Sequence, residues 1–277
     1  MKLSIIIVNY NVAQLLRKCL LSIQEYVKDI EYEVIVMDNA STDPSWKDLI
    51  PEFPAVRFMS SETNGGFSKA NNQAIKKAEG EYVLLLNPDT EFEGRYMQDL
   101  LDFADSDPDF GCLGIQMHDA KGHFLPESKR SVPDMFNSFE KLFTNLKKNN
   151  SKSYYRNDIE KDEIAEVEVV TGAFLLIRKN VYESIGGLDE AYFMYGEDID
   201  LCYTLLRKGY KNYYYGKALL LHHKGESTIK DGVYLKRFYG AMQIFIDKYY
   251  KEEKPLQYSF LKAGLKLRHQ IEKIKLK

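Results

Sequence analysis

The sequence predicts an α/β fold with a mostly parallel central sheet flanked by helices. Two observations carry that prediction. Short apolar runs at Leu3 to Val8, Glu33 to Met37 and Glu81 to Leu86 are continuous rather than alternating. Such runs belong to strands buried on both faces of a parallel sheet. Segments of helical period separate them, and strand–helix alternation calls for right-handed crossovers in one sheet.

Taken in order, Leu3 to Val8 is the first strand and ends at Asn9, Tyr10 and Asn11. Ala13 to Ile30 has helical period, with Leu16, Leu20 and Ile23 on one stripe. Glu33 to Met37 is the second strand. It runs into Asp38-Asn39-Ala40-Ser41-Thr42-Asp43, a segment dense in turn and cap residues. Val56 to Met59 is a short third strand, and a Gly65-Gly66 turn opens a helix over Phe67 to Ala78. Glu81 to Leu86 is the fourth strand. It stops at Pro88, which can neither donate to a ladder nor continue a helix. Residues 115 to 165 are less regular, and "NLKKNNSKSYYRND" reads as a mobile loop. Val167 to Arg178 is a further strand, with Gly172 where a backbone comes close to something. "YGEDIDLCYTLLRKGY" opens a helix with acids first and Arg207 and Lys208 last, as the helix dipole favours. Lys217 to His222 is a late strand. The tail from Pro255 is amphipathic and basic, with Lys262, Lys266, Arg268, Lys273, Lys275 and Lys277 against Glu272.

Composition narrows the function classes. The 277 residues are 44% hydrophobic and 29% charged, an ordinary soluble balance. A net charge of -3 argues against nucleic acid as the main partner. Cys19, Cys112 and Cys202 lack metal spacing and are expected as small core residues in a reducing compartment. The apolar run in "MKLSIIIVNYN" is too short for a signal sequence, and no window nears the roughly 18 apolar residues of a membrane span. The 20 tyrosines are read first as packing and second as a sugar-stacking surface. Neither G-x-x-x-x-G-K-[ST] nor G-x-G-x-x-G occurs, which disfavours a P-loop and a dinucleotide oxidoreductase. "IIIVNYNVAQ" also lacks the Gly-rich basic loop of a sugar-nucleotide pyrophosphorylase.

In open α/β sheets ligands sit beyond the carboxyl ends of the strands. Asn9, Asp38 and Asp89 all fall there. Amides and acids at such ends suit hydrogen bonds to a base and ribose. A carboxylate suits Mg²⁺ or Mn²⁺, which prefer oxygen ligands and keep room for substrate phosphates. On its own, an Asp after a Pro is more often a turn residue.

The segments "SIIIVNYN", "VIVMDNASTD", "NGGFSKANNQAI", "LLLNPDT", "VTGAFLLIRK", "IGGLDEAYFMYGEDIDLC" and "HHKGES" occur together and in order. In this the chain resembles inverting glycosyltransferases of family 2, near the rhamnosyltransferase-like branch, over residues 3 to 227. The resemblance implies a GT-A fold, with a Rossmann-like central sheet and a C-terminal helical extension. It implies a glycosyltransferase domain over 1–228, divided into a nucleotide-binding half at 1–110 and an acceptor-binding half at 111–228. A basic helical extension follows at 229–277.

The resemblance also implies roles. Asp38 and Asn39, with Val8, Asn9 and Tyr10, would hold the base and ribose. Asn64, Gly65, Phe67 and Asn71 would form a second wall, and Asn87 and Pro88 would border the nucleotide. Asp89 would be the principal ligand of Mg²⁺ or Mn²⁺, with His222 completing the site and His223 as the competing choice. Glu197 and Asp198 would be the catalytic acids, with Asp198 as general base. Gly172, Tyr195 and Arg130 would face the acceptor, with Lys129 as the alternative to Arg130. The implied reaction is transfer from dTDP-rhamnose or a UDP-hexose to a glycan or polyprenyl-linked acceptor in bacterial surface polysaccharide synthesis. The expected location is cytoplasmic. The basic amphipathic tail reads two ways, as peripheral contact with an anionic membrane or as a solvated helix packing back on the domain. Two positions depart from the pattern. Asn87 replaces an acid, and Thr204 stands where many relatives have Arg, with Arg207 as the nearest substitute. The alternative reading is a catalytically inactive carbohydrate- or nucleotide-binding relative.

Overall fold

Strand β1 (Leu3–Asn9) is buried along its whole length, and the sheet is built outward from it. It pairs in parallel with β2 (Tyr32–Asp38) on one side and β4 (Tyr82–Leu86) on the other. β3 (Val56–Ser60) runs parallel to β2 and closes that edge. The computed structural model describes residues 1–133, 154–223 and 231–275. Within them β5 (Thr90–Phe92), β6 (Phe110–His118), β7 (Ile164–Val167), β8 (Phe174–Arg178) and β9 (Lys211–His222) extend the sheet. The order is β3-β2-β1-β4-β8-β6-β9-β5, with β7 beside β9. β8 is antiparallel to both β4 and β6, and β5 and β7 are antiparallel to β9. The sheet is therefore parallel from β3 to β4 and mixed beyond.

Two apolar layers cover its faces, as the period of two along β1 requires. Ile5 and Ile7 pack with Leu16, Leu20 and Ile23 of α1 (Ala13–Tyr26). A short α2 (Leu49–Glu52) supplies Leu49 to this layer, and α4 (Met97–Ser106) supplies Leu100 and Leu101. Ile6 and Val8 face the other way, onto Ala70 and Ala74 of α3 (Phe67–Ile75). That second layer also takes Val181 of α5 (Lys179–Ser184) and Ile199, Cys202 and Leu205 of α6 (Glu197–Arg207). The C-terminal helices α7 (Gly232–Tyr249) and α8 (Pro255–Lys275) join it through Leu235, Phe245, Leu261 and Leu265. All three cysteines are buried thiols in these layers.

Three sequence expectations are corrected. The strand expected from Val167 to Arg178 is broken: β7 ends at Val167 and β8 begins at Phe174. The chain changes partners across this gap, from β9 to β4 and β6, and both parts are apolar. The helix expected to reach Ile30 ends at Tyr26, where Val27 turns extended and Asp29 takes a φ of 64°. The late strand begins at Lys211, not Lys217. Its register against β6 jumps from Ile115↔Tyr215 to Gln116↔Leu219, which hides the pattern. The segment "NLKKNNSKSYYRND" lies mostly outside the described residues. Among the described residues, no helix is long and apolar enough to cross a membrane.

Candidate active site

The polar ends of β1 and β2 are tied into one net. Asp38 is 2% exposed, and its Oδ1 accepts from Asn9 Nδ2 at 2.7 Å and from Ser41 Oγ at 2.5 Å. Its Oδ2 accepts from the Ser41 N–H, three residues on, at 3.0 Å. Asn11, at a φ of 58°, accepts with Oδ1 from the Thr42 and Asp43 N–H groups. Asn39 donates to Asn64 Oδ1 at 2.9 Å and accepts from the Gly65 N–H at 3.1 Å. Two expected walls thus meet through one amide pair. Gly66 is held at a φ of 88°, and a Cβ there would stand 2.3 Å from Phe193 O. Only glycine fits, and the Phe67 N–H then donates to Phe193 O at 2.7 Å. Asn71 is turned inward, donating to Phe67 O at 2.9 Å. Tyr10, just past the end of β1, is 44% exposed.

The fourth strand end is anchored differently. The Asn87 N–H donates to Ala173 O at 3.0 Å, and Asn87 O accepts from Thr90 Oγ1 at 2.7 Å. That turn carries Asp89, 3% exposed, toward β9. Because Thr90 pairs with His222 across β5 and β9, His222 Nε2 comes to 3.3 Å from Asp89 Oδ1. His223 instead meets Glu91 at 2.5 Å. The geometry therefore puts His222, not its neighbour, beside Asp89. A carboxylate oxygen and an imidazole nitrogen about 3.0 Å apart are what two adjacent ligands of an octahedral ion with 2.1 Å bonds require. Among the described residues no cluster of three or more ligating side chains gathers. The pair fits a cation that takes its remaining ligands from substrate phosphates and water.

The acidic pair opens α6. Tyr195 and Gly196 take φ values of 73° and 81°, a sharp entry that turns both acids inward. Asp198 Oδ2 accepts from Arg130 Nη2 at 2.5 Å and from the Gly172 N–H at 3.3 Å. Its Oδ1 accepts from the Ile199 N–H at 2.8 Å. Arg130 also donates to Val170 O at 2.8 Å, so its guanidinium is committed to the carboxylate rather than presented to open space. Lys129 points elsewhere and caps Arg156 O and Ile159 O at 2.8 and 2.5 Å. A Cβ on Gly172 would touch Asp198 Cβ at 3.6 Å and the Phe67 ring at 3.7 Å. The Tyr195 ring packs at 5.3 Å from Tyr234 and 6.1 Å from Phe238 of α7. Thr204 bonds Tyr249 OH at 2.9 Å, and Arg207 reaches Glu253 at 2.7 Å. Arg207 therefore does not replace the arginine absent at 204.

Gly172 and Ala173 join these parts. This two-residue segment holds Asp198 through the Gly172 N–H and the Asn87–Asp89 turn through Ala173 O. Phe67 of the second wall lies against the same glycine. Residues far apart in sequence thus share a single support. Asn11, Ser41 and Ala173 belong to this frame, although the sequence pattern offered no role for Ala173.

Glu197 sits 8% exposed, with Oε2 unbonded among the described residues. Burial, and then the charge of Asp198, push its carboxyl well above the ordinary value of 4.5. The folded state thus keeps a proton that the unfolded chain has already released. Its stabilising contribution is full below the ordinary carboxylate range and is lost as pH rises toward the raised pKa. Glu197→Gln, which mimics the protonated acid, should remove that falling limb. Melting curves across pH should show wild type losing up to about 1.4 kcal/mol per pH unit relative to the variant within that window. Parallel curves would show that Glu197 is ionised.

Comparison with known proteins follows from this geometry. The Glycosyl transferase family 2 model matches residues 4–186. The chain is 31% identical over 211 residues to N-acetylglucosaminyl-diphospho-decaprenol L-rhamnosyltransferase of Mycobacterium tuberculosis, covering 72% of this chain and 68% of that protein. It is 27% identical over 228 residues to rhamnosyltransferase WbbL of Escherichia coli K12, covering 79% and 82%. Staphylococcus aureus TarS 1-349 in complex with UDP-GlcNAc has a TM-score of 0.62 at 20% identity, over 96% of this chain and 70% of that one. GalNAc-T7 with UDP, GalNAc and Mn²⁺ has a TM-score of 0.65 at 17% identity, over 97% of this chain and 54% of that one. These two structures share the fold.

Proposed function

This chain belongs to glycosyl transferase family 2, and we propose that it moves a sugar, with inversion, from a nucleoside-diphosphate sugar to a hydroxyl of a glycan or polyprenyl-linked acceptor. Membership makes it a glycosyltransferase of GT-A fold. The observation that carries the finer reading is the Gly172-Ala173 support, which ties Asp198, the Asp89 turn and Phe67 together. The names of the relatives favour dTDP-rhamnose, and the UDP-GlcNAc complex favours a UDP-hexose. A lipid-linked acceptor in cell-surface polysaccharide assembly, on the cytoplasmic side, agrees with the decaprenol relative.

In this reading residues 1–110 bind the nucleotide and 111–228 the acceptor. The Asn9–Asp38–Ser41 net fixes the rim that receives base and ribose, and the Asn39–Asn64 pair holds the opposite wall. Asp89 and His222 would hold Mg²⁺ or Mn²⁺, which offsets the charge gathering on the leaving diphosphate. Asp198 takes the proton of the acceptor hydroxyl as that oxygen attacks the anomeric carbon. Arg130 and the Gly172 N–H hold the carboxylate in place and aimed. One base acting from the face opposite the leaving group, with no carboxylate nucleophile, gives inversion.

Calorimetric titration of UDP and dTDP, with Mn²⁺ and then with EDTA, tests the reading. Binding of one nucleotide that requires Mn²⁺ is expected, and the tighter nucleotide identifies the donor class. Failure of both nucleotides under both conditions overturns the reading in favour of an inactive relative.

A further inference from the structure

Among the described residues, one apolar face of helix α8 is buried in the core and a second is exposed. Leu261 and Leu265 are buried in the second core layer, and the His269 ring stacks on Tyr239 at 4.6 Å. At 100° per residue, Leu256, Phe260, Ala263, Leu267 and Ile274 fall within about 60° of one another on the opposite side. Leu256 is 87% exposed, Phe260 47%, Leu267 53% and Ile274 72%. Their line runs for about 27 Å along the helix. Exposed apolar residues scattered singly need no explanation, but a line of them interrupted only by Gln270 does.

The charges beside the line are of one sign. The helix carries Lys262, Lys266, Arg268, Lys273 and Lys275 against Glu272. Glu272 is already engaged by Arg268 at 2.9 Å and Lys275 at 3.2 Å. Among the described residues Lys266 and Lys273 have no acidic partner, and they lie together along one side of the line, about 80–100° from Leu256 and Ile274. A second copy of the helix is a poor occupant. The spacing resembles a coiled-coil seam, but Ala263 and Gln270 would leave it shallow. Pairing would also bring Lys266 and Lys273 together with no acid to meet them. An apolar stripe edged by cations fits an anionic lipid surface.

We propose that α8 seats the protein on an anionic membrane, with Leu256, Leu267 and Ile274 in the headgroup–acyl boundary and Lys266 and Lys273 at lipid phosphates. The arrangement lies along the interface and does not cross it. It would hold the cleft beside a lipid-linked acceptor without adding any contact to the cleft.

Co-sedimentation of the full chain with vesicles tests this. Phosphatidylcholine vesicles with phosphatidylglycerol should bind the protein, pure phosphatidylcholine should bind far less, and added salt should release it. Leu267→Ser with Ile274→Ser, and separately Lys266→Gln with Lys273→Gln, should each weaken binding by about tenfold or more. The melting temperature should hold, since these side chains are exposed. Absence of binding to anionic vesicles overturns the proposal, as does equal binding of wild type and both variants. A dimer dissolved by the Leu267/Ile274 change, with no lipid binding, would assign the stripe to a second copy instead. No nucleotide or metal enters this assay, so its failure and that of the transferase reading are separable.

Discussion

Asp198→Asn is expected to lower kcat by about 10³-fold while changing the donor KM only a few-fold, the mark of a lost general base. The asparagine keeps the shape and one acceptor oxygen, enough for either the Gly172 or the Ile199 N–H. It cannot take the proton. A second effect must be separated from the first. Arg130 and Asp198 form a buried pair, with side chains 10% and 13% exposed. Removing only the acid leaves an uncompensated buried guanidinium, at a cost of about 3–5 kcal/mol. The single variant should therefore melt early as well as turn over slowly. Asp198→Asn combined with Arg130→Gln removes both charges. The double variant should regain much of the lost stability and none of the lost kcat, read by calorimetry and by steady-state rates below the transition. If kcat returns with stability, Asp198 is a structural partner of Arg130 and the base lies elsewhere.

The parallel half of the fold was legible because its signal is local. β1, β2 and β4 are built on continuous apolar runs, and they and the short β3 each lie within a residue or so of the expected span. The strand ends were legible for the same reason, since a polar cluster after an apolar run needs no long-range knowledge. The mixed half was not. Whether Val167 and Phe174 belong to one strand depends on partners in β9 and β4, and burial on both sides erases the difference in pattern. The partner of Asp198 was hidden likewise, since Arg130 lies 68 residues earlier and its basic neighbourhood reads as surface. Lys129 shows how weak that surface reading was: the adjacent lysine is 3% exposed and bonded to two carbonyls. Choosing between His222 and His223 needed the β5–β9 register, which places one beside Asp89 and the other beside Glu91.

That register yields the second large effect. Asp89→Asn should abolish the Mn²⁺ dependence of nucleotide binding and lower kcat by about 10²–10⁴-fold, several kcal/mol of charge stabilisation at the leaving diphosphate. The amide preserves volume at a site where the Asp89 side chain is 4% exposed and the His222 side chain 12%. What it removes is the negative oxygen that a hard divalent cation prefers. A purely structural pair predicts something else. The charge-pair contact between Asp89 and His222 would then be lost, Tm would fall, and wild-type nucleotide binding would be the same in Mn²⁺ and in EDTA. The histidines sharpen the contrast. His222→Ala should weaken metal-dependent binding. His223→Ala, which breaks the contact with Glu91, should leave that dependence in place. Titrating the preferred nucleotide into the three variants, with Mn²⁺ and with EDTA, reads these outcomes directly. Equal loss from both histidine variants would place the effect in the β5–β9 pairing, since both side chains then matter only through the strands that carry them.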